Sequence, residues 1–242
     1  MYGWSAILLC YGLYAIILHL SKFVYFTVPQ LPRKCKLADS GCLMSVAQQM
    51  LPAFVPGIPE LSIEPLDVMH IQKNKIDLAG LKLTVTNANI KGLKNAVIKG
   101  IRKVLQLMYQ ADLGVKSQYK ASGQLLVLPI SGNGDMTIDL SNLHIDLTMP
   151  FEIVKNKDGK DILELKSYQF NYDVKGSAHF DLTNLFDGNK QLSTTLLSFM
   201  NDNWKILSVE FGRPMLDKAQ KKIFEAIKTY LKSEPLENLV DK

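Results

Sequence analysis

Residues suited to covalent or metal chemistry are scarce in this chain, which has three cysteines and four histidines among 242 residues. No G-x-S-x-G, H-E-x-x-H or P-loop pattern occurs, so three common frameworks for hydrolysis and phosphate binding are missing. His70 falls on a predicted strand beside a proline-rich connection, and His144 and His179 alternate with apolar neighbours. All three read as surface histidines, and Asp139 and Asp146 fall on polar strand faces. Gly132-Asn133-Gly134 is a lone G-x-G between predicted strands and reads as a turn. No enzyme activity and no cofactor are expected. An N-x-S/T sequon is absent too, so N-glycosylation is not expected.

Clustered charge of one sign is also lacking. The net charge is +5, but the basic residues are interleaved with acids, as in Lys155, Lys157, Asp158, Lys160 and Asp161. Nucleic-acid binding needs a basic face with aromatics to stack on, and none is seen. Internal repeats, low-complexity tracts and an internal linker are missing, and 47% of the residues are hydrophobic. One domain with a sizeable core, Gln30 to Lys242, is the reading.

From Met1 to Ser21 there is no Asp, Glu, Lys or Arg, and Trp4–Leu20 is strongly apolar. The run is longer than most secretory h-regions, about 7–15 residues, and shorter than the roughly 20 of a spanning helix. Residues 1–28 are expected to be a cleaved leader and 29–242 the mature, secreted protein. A retained anchor is the alternative. Lys22, Arg33, Lys34 and Lys36 follow the run, and in an anchor they would hold the C-terminal side in the cytosol. Cysteine usage fits export: Cys10 lies in the apolar run, leaving Cys35 and Cys42. A disulfide between them would close a short loop. The rival, a zinc site, would need two further ligands, and the histidines lack metal-ligand spacing.

Leu43, Val46, Ala47 and Met50 recur at helical spacing, predicting a helix over Cys42–Leu51 that Pro52, Pro56 and Pro59 end. Between Leu66 and Leu185 the apolar period becomes two, as at Leu81, Leu83, Val85 and at Met136, Ile138, Leu140. Such strands, apolar on one face, mark an antiparallel sheet. The apolar phase slips by one at Gly80, at Ser141-Asn142 and at Lys166-Ser167. Bulges would absorb these slips and bend the sheet hard, and a strongly curved sheet encloses something.

Asn156-Lys157-Asp158-Gly159 is turn chemistry. With Asp158 and Gly159 as a two-residue turn, Leu143 faces Val174, Ile145 faces Tyr172, Leu147 faces Phe170 and Met149 faces Tyr168. Behind Pro214, placed at a first helical turn, Leu216, Ala219, Ile223, Ala226, Ile227, Tyr230 and Leu231 form one apolar stripe. Leu192, Leu196, Phe199, Met200 and Leu207 precede it at three-to-four spacing. The stripe needs a trough, and the concave face of the sheet supplies one.

Longer motifs carry a family resemblance over essentially the whole chain. They are Cys35-Lys36-Leu37 to Cys42, Gly57-Ile58-Pro59-Glu60 with Glu64-Pro65-Leu66-Asp67, and Lys91-Gly92-Leu93. Further on come Tyr119–Leu126 with Leu128–Gly134, and Asn184-Leu185-Phe186-Asp187-Gly188 leading to Met200-Asn201-Asp202-Asn203-Trp204. In these the chain resembles the insect takeout and haemolymph juvenile hormone-binding proteins. The resemblance implies an α+β fold in which a strongly curved antiparallel sheet wraps a long helix around a tubular apolar cavity. It also implies a secreted carrier of a terpenoid hormone, fatty acid or related lipid. Strict juvenile hormone-binding proteins carry a second disulfide for which this chain lacks cysteines, which favours the takeout branch.

Within that fold, core and cavity lining are the same rows of residues. The expected lining comprises Leu83, Val85, Ile138, Ile145 and Leu147 from the early strands. Tyr168, Phe170, Tyr172 and Phe180 would come from the later strands, and Phe199, Ile223 and Ile227 from the helices. Ordinary packing is the rival reading for the aromatic row Tyr168, Phe170, Tyr172. The partner expected is one small hydrophobic ligand held by a monomer with no stable membrane insertion. A membrane-tethered or receptor-facing interaction protein that keeps the fold is the second functional reading.

Overall fold

The computed structural model describes residues 28–102 and 105–241. The expected leader therefore lies outside the described residues, except for Val28.

Helix α1 spans Ser40–Phe54. It starts where the Asp39 carboxylate accepts the Cys42 N–H at 2.9 Å, satisfying one of the orphan donors of a first turn. It runs through Pro52, beyond the expected end at Leu51. In the last turn proline removes one N–H, while the Val55 N–H still reaches the Leu51 carbonyl at 3.0 Å. Gln48 docks the helix on strand β3, Val97–Arg102, donating to Ala96 O and accepting the Ile98 N–H at 2.8 Å.

Two very long strands, β4 (Gln106–Leu125) and β5 (Leu128–Thr148), form the spine of the sheet. At about 3.3 Å per residue each runs roughly 65 Å. The outer edge of β4 carries β2 (Leu81–Lys91) and then β3, with β1 (Met69–Leu78) beyond β2. The outer edge of β5 carries β8 (Gln169–Val174) and β9 (Ala178–Leu182). A separate hairpin joins β6 (Phe151–Lys155) to β7 (Asp161–Leu165).

Of the three expected slips, only Ser141-Asn142 is a bulge. There the β4–β5 register shifts between Ala111 and Leu113, with Asn142 at φ 53°. At Gly80 the phase changes because the chain reverses. Leu78 pairs with Leu81, and Ala79 and Gly80 both have positive φ, as a two-residue primed hairpin requires. At Lys166-Ser167 the chain leaves the small hairpin for the main sheet. A bulge between Thr86 and Asn89 adds curvature that the alternation did not announce.

The register of β5 against β8 is the expected one, with Leu143 opposite Val174, Ile145 opposite Tyr172 and Leu147 opposite Phe170. The tip differs. The Asn156 N–H bonds Lys160 O at 2.8 Å, its side chain accepts the Asp158 and Lys160 N–H groups, and Gly159 sits at φ 74°. This is a three-residue loop with a glycine bulge, which shifts β6–β7 by one residue relative to the expected turn. Three residues between Leu165 and Gln169, against two between Thr148 and Phe151, restore the phase. Met149 and Tyr168 fall in this irregular stretch and are not a ladder pair.

Gly132-Asn133-Gly134 is not a turn but lies inside β5. The segment Thr183–Leu185 crosses closely there. A Cβ at Gly132 would lie 2.8 Å from Asn184 O, and one at Gly134 2.5 Å from Thr183 Oγ1. These glycines permit a close approach of backbones rather than a reversal.

Helix α2 spans Lys190–Asp202, α3 Trp204–Ser233 and α4 Leu236–Leu239. Pro214 lies in the middle of α3, not at its start. An interior proline costs about 3 kcal/mol; burial of apolar side chains on both sides of it, from Leu207 to Tyr230, outweighs that penalty. The helix touches both edges of the sheet. From β1, Asn74 Nδ2 donates to Pro214 O at 2.9 Å; from β8, the Tyr172 hydroxyl donates to Ser208 O at 2.8 Å. Arg213 donates to Phe170 O and lies 4.7 Å over the Phe170 ring. One helix bridging β1 and β8 is the direct signature of a sheet wrapped around it. The sheet is not closed, since its order ends at β1 and at β8.

Candidate lipid-binding cavity

The wrapped sheet does not fill completely. A cavity of about 250 Å³ lies at the α1 end of the molecule. The inward stripe of α1, Leu43, Val46, Ala47, Met50, Leu51 and Phe54, makes its roof. Ile98 and Ile101 of β3 and Leu107 and Tyr109 of β4 make the opposite wall. The C-terminal half of α3 contributes Ile223, Ile227, Tyr230 and Leu231, and Leu239 and Val240 complete the lining.

Among the described residues, no Asp, Glu, Lys, Arg or His lines this cavity. The Tyr230 hydroxyl donates to Pro29 O at 2.8 Å, and its ring meets Phe54 edge-on at 5.7 Å. Tyr109 exchanges hydrogen bonds with Gln220. Burial pushes the Tyr230 phenol up to about 12 and the Tyr109 phenol well above its ordinary range, so both are neutral at physiological pH. Such a lining desolvates apolar surface and suits the hydrocarbon part of a ligand.

The roof is tied down by the Cys35–Cys42 disulfide, whose Cα atoms are 5.7 Å apart. Cys35 also bridges Val240 in parallel, and its carbonyl accepts the Asp241 N–H at 3.1 Å. One covalent link thus joins the start of α1 to the segment that docks the C-terminus beside the cavity.

A second, smaller cavity of about 100 Å³ lies further along α3 toward its N-terminal end. Leu113 and Val115 of β4 and Phe211, Leu216 and Ala219 of α3 line it. Gly212 brings α3 close to the sheet there, since a Cβ on it would lie 2.8 Å from the Tyr172 ring.

The haemolymph juvenile hormone binding protein (JHBP) family model matches residues 13–241 of the chain. The chain belongs to this family. It is 34% identical over 212 residues to the circadian clock-controlled protein daywake of Drosophila melanogaster, covering 81% of each. It is also 31% identical over 157 residues to the juvenile hormone-binding protein of Manduca sexta, covering 61% of this chain and 59% of that one. The crystal structure of Takeout 1 from Epiphyas postvittana superposes with a TM-score of 0.84 at 42% identity, covering 86% of this chain and 99% of that one. The α+β fold with a long C-terminal helix in a large antiparallel sheet is the fold of that structure.

The structure distributes the sequence-predicted lining residues over three places. Ile223 and Ile227 border the cavity under α1. Val85, Ile138, Tyr172 and Phe180 border the smaller cavity. Ile145, Leu147 and Phe170 are at most 2% exposed and border neither, being buried among other core side chains. Leu83, Phe199 and Tyr168 are half-buried outside both, Tyr168 against Phe224 at 4.9 Å. The roof residues were missed. Their helical spacing was visible, but nothing local said that α1 folds over the end of the sheet.

Proposed function

We propose that this protein is a secreted carrier that holds one small lipophilic molecule, a terpenoid hormone, fatty acid or related lipid, in the cavity beneath α1. The observation that carries the reading is a partly open void lined, among the described residues, by aliphatic and aromatic side chains and by no charged group. Membership of the juvenile hormone binding protein family supports it. Among the described residues no helix is long and apolar enough to cross a membrane.

A ligand burying about 400 Å² of apolar surface gains roughly 10 kcal/mol gross at about 25 cal/mol per Å². Association and ordering costs reduce this to roughly micromolar or nanomolar affinity. The lining that touches the ligand is proposed to be Val46, Met50, Phe54, Ile101, Ile223 and Ile227.

Native mass spectrometry of protein secreted by its own source tests this reading. A one-to-one adduct of a few hundred daltons, extractable into organic solvent, supports it. A bare protein mass, with no displaceable binding of a fluorescent apolar probe, contradicts it.

A further inference from the structure

The two cavities lie along one helix and inside one sheet, yet they do not join. α3 borders the smaller one as far as Ala219 and the larger one from Ile223. Between these positions stands Gln220, which is 1% exposed on an otherwise apolar stripe. Its amide receives the Tyr109 hydroxyl at Oε1 (3.1 Å) and donates to the same hydroxyl from Nε2 (2.9 Å). Tyr109 belongs to β4, with Leu107 of the larger cavity on one side and Leu113 of the smaller on the other. Across the sheet it faces Ile145, flanked by Leu143 and Leu147, which are fully packed.

Apolar residues of similar shape would fill this place without burying a polar amide and a phenol. We propose that the Tyr109–Gln220 pair is a polar partition that sets the maximum length of the ligand. The inference rests on the carrier reading. An unsubstituted hydrocarbon chain entering from the α1 side gains contact until it reaches the pair. To pass, it must part the phenol from the amide and leave both without partners among Ala219, Ile223 and Phe224. Each stranded group weakens binding by roughly ten- to a hundredfold, which cancels what the next few methylenes supply.

The test is a displacement titration of the mature protein with 1-alkanols of about eight to eighteen carbons against a fluorescent naphthylamine probe. In the wild type, affinity should rise about fourfold per methylene and then stop rising at one chain length. In Tyr109→Phe/Gln220→Ala the break should move to longer chains. Tyr109→Phe/Gln220→Met keeps the bulk without the polar lock and should shift the break in the same direction; it serves if the alanine variant fails to melt cooperatively. A uniform rise with no break in the wild type overturns the partition and leaves the carrier reading intact. So does a break at an unchanged length in a folded double variant. If no alkanol displaces the probe, the carrier reading and the partition fall together.

Discussion

Replacing Ala47 by leucine separates a cavity from an ordinary core at one position. Ala47 lies in the middle of α1 and faces the larger void. Leucine adds three carbons where no atoms now stand. At about 0.8 kcal/mol per buried carbon the gross gain is roughly 2.4 kcal/mol, reduced by about 0.5–1 kcal/mol of side-chain entropy. Alanine and leucine are both strong helix formers, so the backbone contributes little. The ligand-free variant should therefore be more stable by about 1–2 kcal/mol, raising Tm by roughly 2–8 °C for a chain of this size. The same carbons occupy space that the ligand needs. Affinity for an alkyl probe should fall about thirtyfold if some 2 kcal/mol of contact is lost. Scanning calorimetry of delipidated protein and a probe titration read the two effects. In a close-packed core the substitution would instead cost about 1–3 kcal/mol. A lowered Tm with unchanged affinity would refute the cavity assignment.

Three other outcomes follow from particular contacts. Cys35→Ser/Cys42→Ser opens a loop of sequence separation 7 and should cost about 2.5 kcal/mol, read by denaturant titration, with faster probe dissociation in stopped flow; unchanged values for both would show that the roof is held without the bridge. Gly212→Ala should lower Tm despite alanine's helix advantage of about 1 kcal/mol, because the new Cβ would lie 2.8 Å from the Tyr172 ring; a raised Tm would mean the ring moves freely. Tyr119 and Tyr230 are pushed by burial to about 12, whereas an unfolded phenol ionises near 10. Their contribution to stability should be complete below about pH 10 and be lost as pH rises through 12, and denaturant unfolding that stays constant across that window would contradict it.

Much of the fold was legible because alternation and helical stripes report which face is buried. The register of β5 against β8 could be read from the apolar pairs Leu143–Val174, Ile145–Tyr172 and Leu147–Phe170 even though the turn between them was misplaced. One face of matched apolar residues constrains a register more strongly than a loop type does. The Gly132–Gly134 segment was misread because a glycine needed for close backbone approach looks locally like one needed for a turn. Pro214 was misread because helix-breaking chemistry is local, whereas the packing of α3 on both sheet edges is not. The cavity was only half legible. An inward residue that packs and one that lines a void share the same period. Ile145 and Ile223 differ only in whether something opposite fills the space, as Gln220 and Tyr109 do in the middle of the molecule.

The central claim is that a lipophilic ligand sits beneath α1. Photo-crosslinking with a diazirine-bearing alkyl lipid, followed by peptide mapping, tests it most directly. Labels should fall on Val46–Phe54, on Ile98–Ile101 and on Ile223–Leu231, and excess unlabelled lipid should suppress them. Labels confined to the outer face of the sheet, or unaffected by competitor, would contradict it.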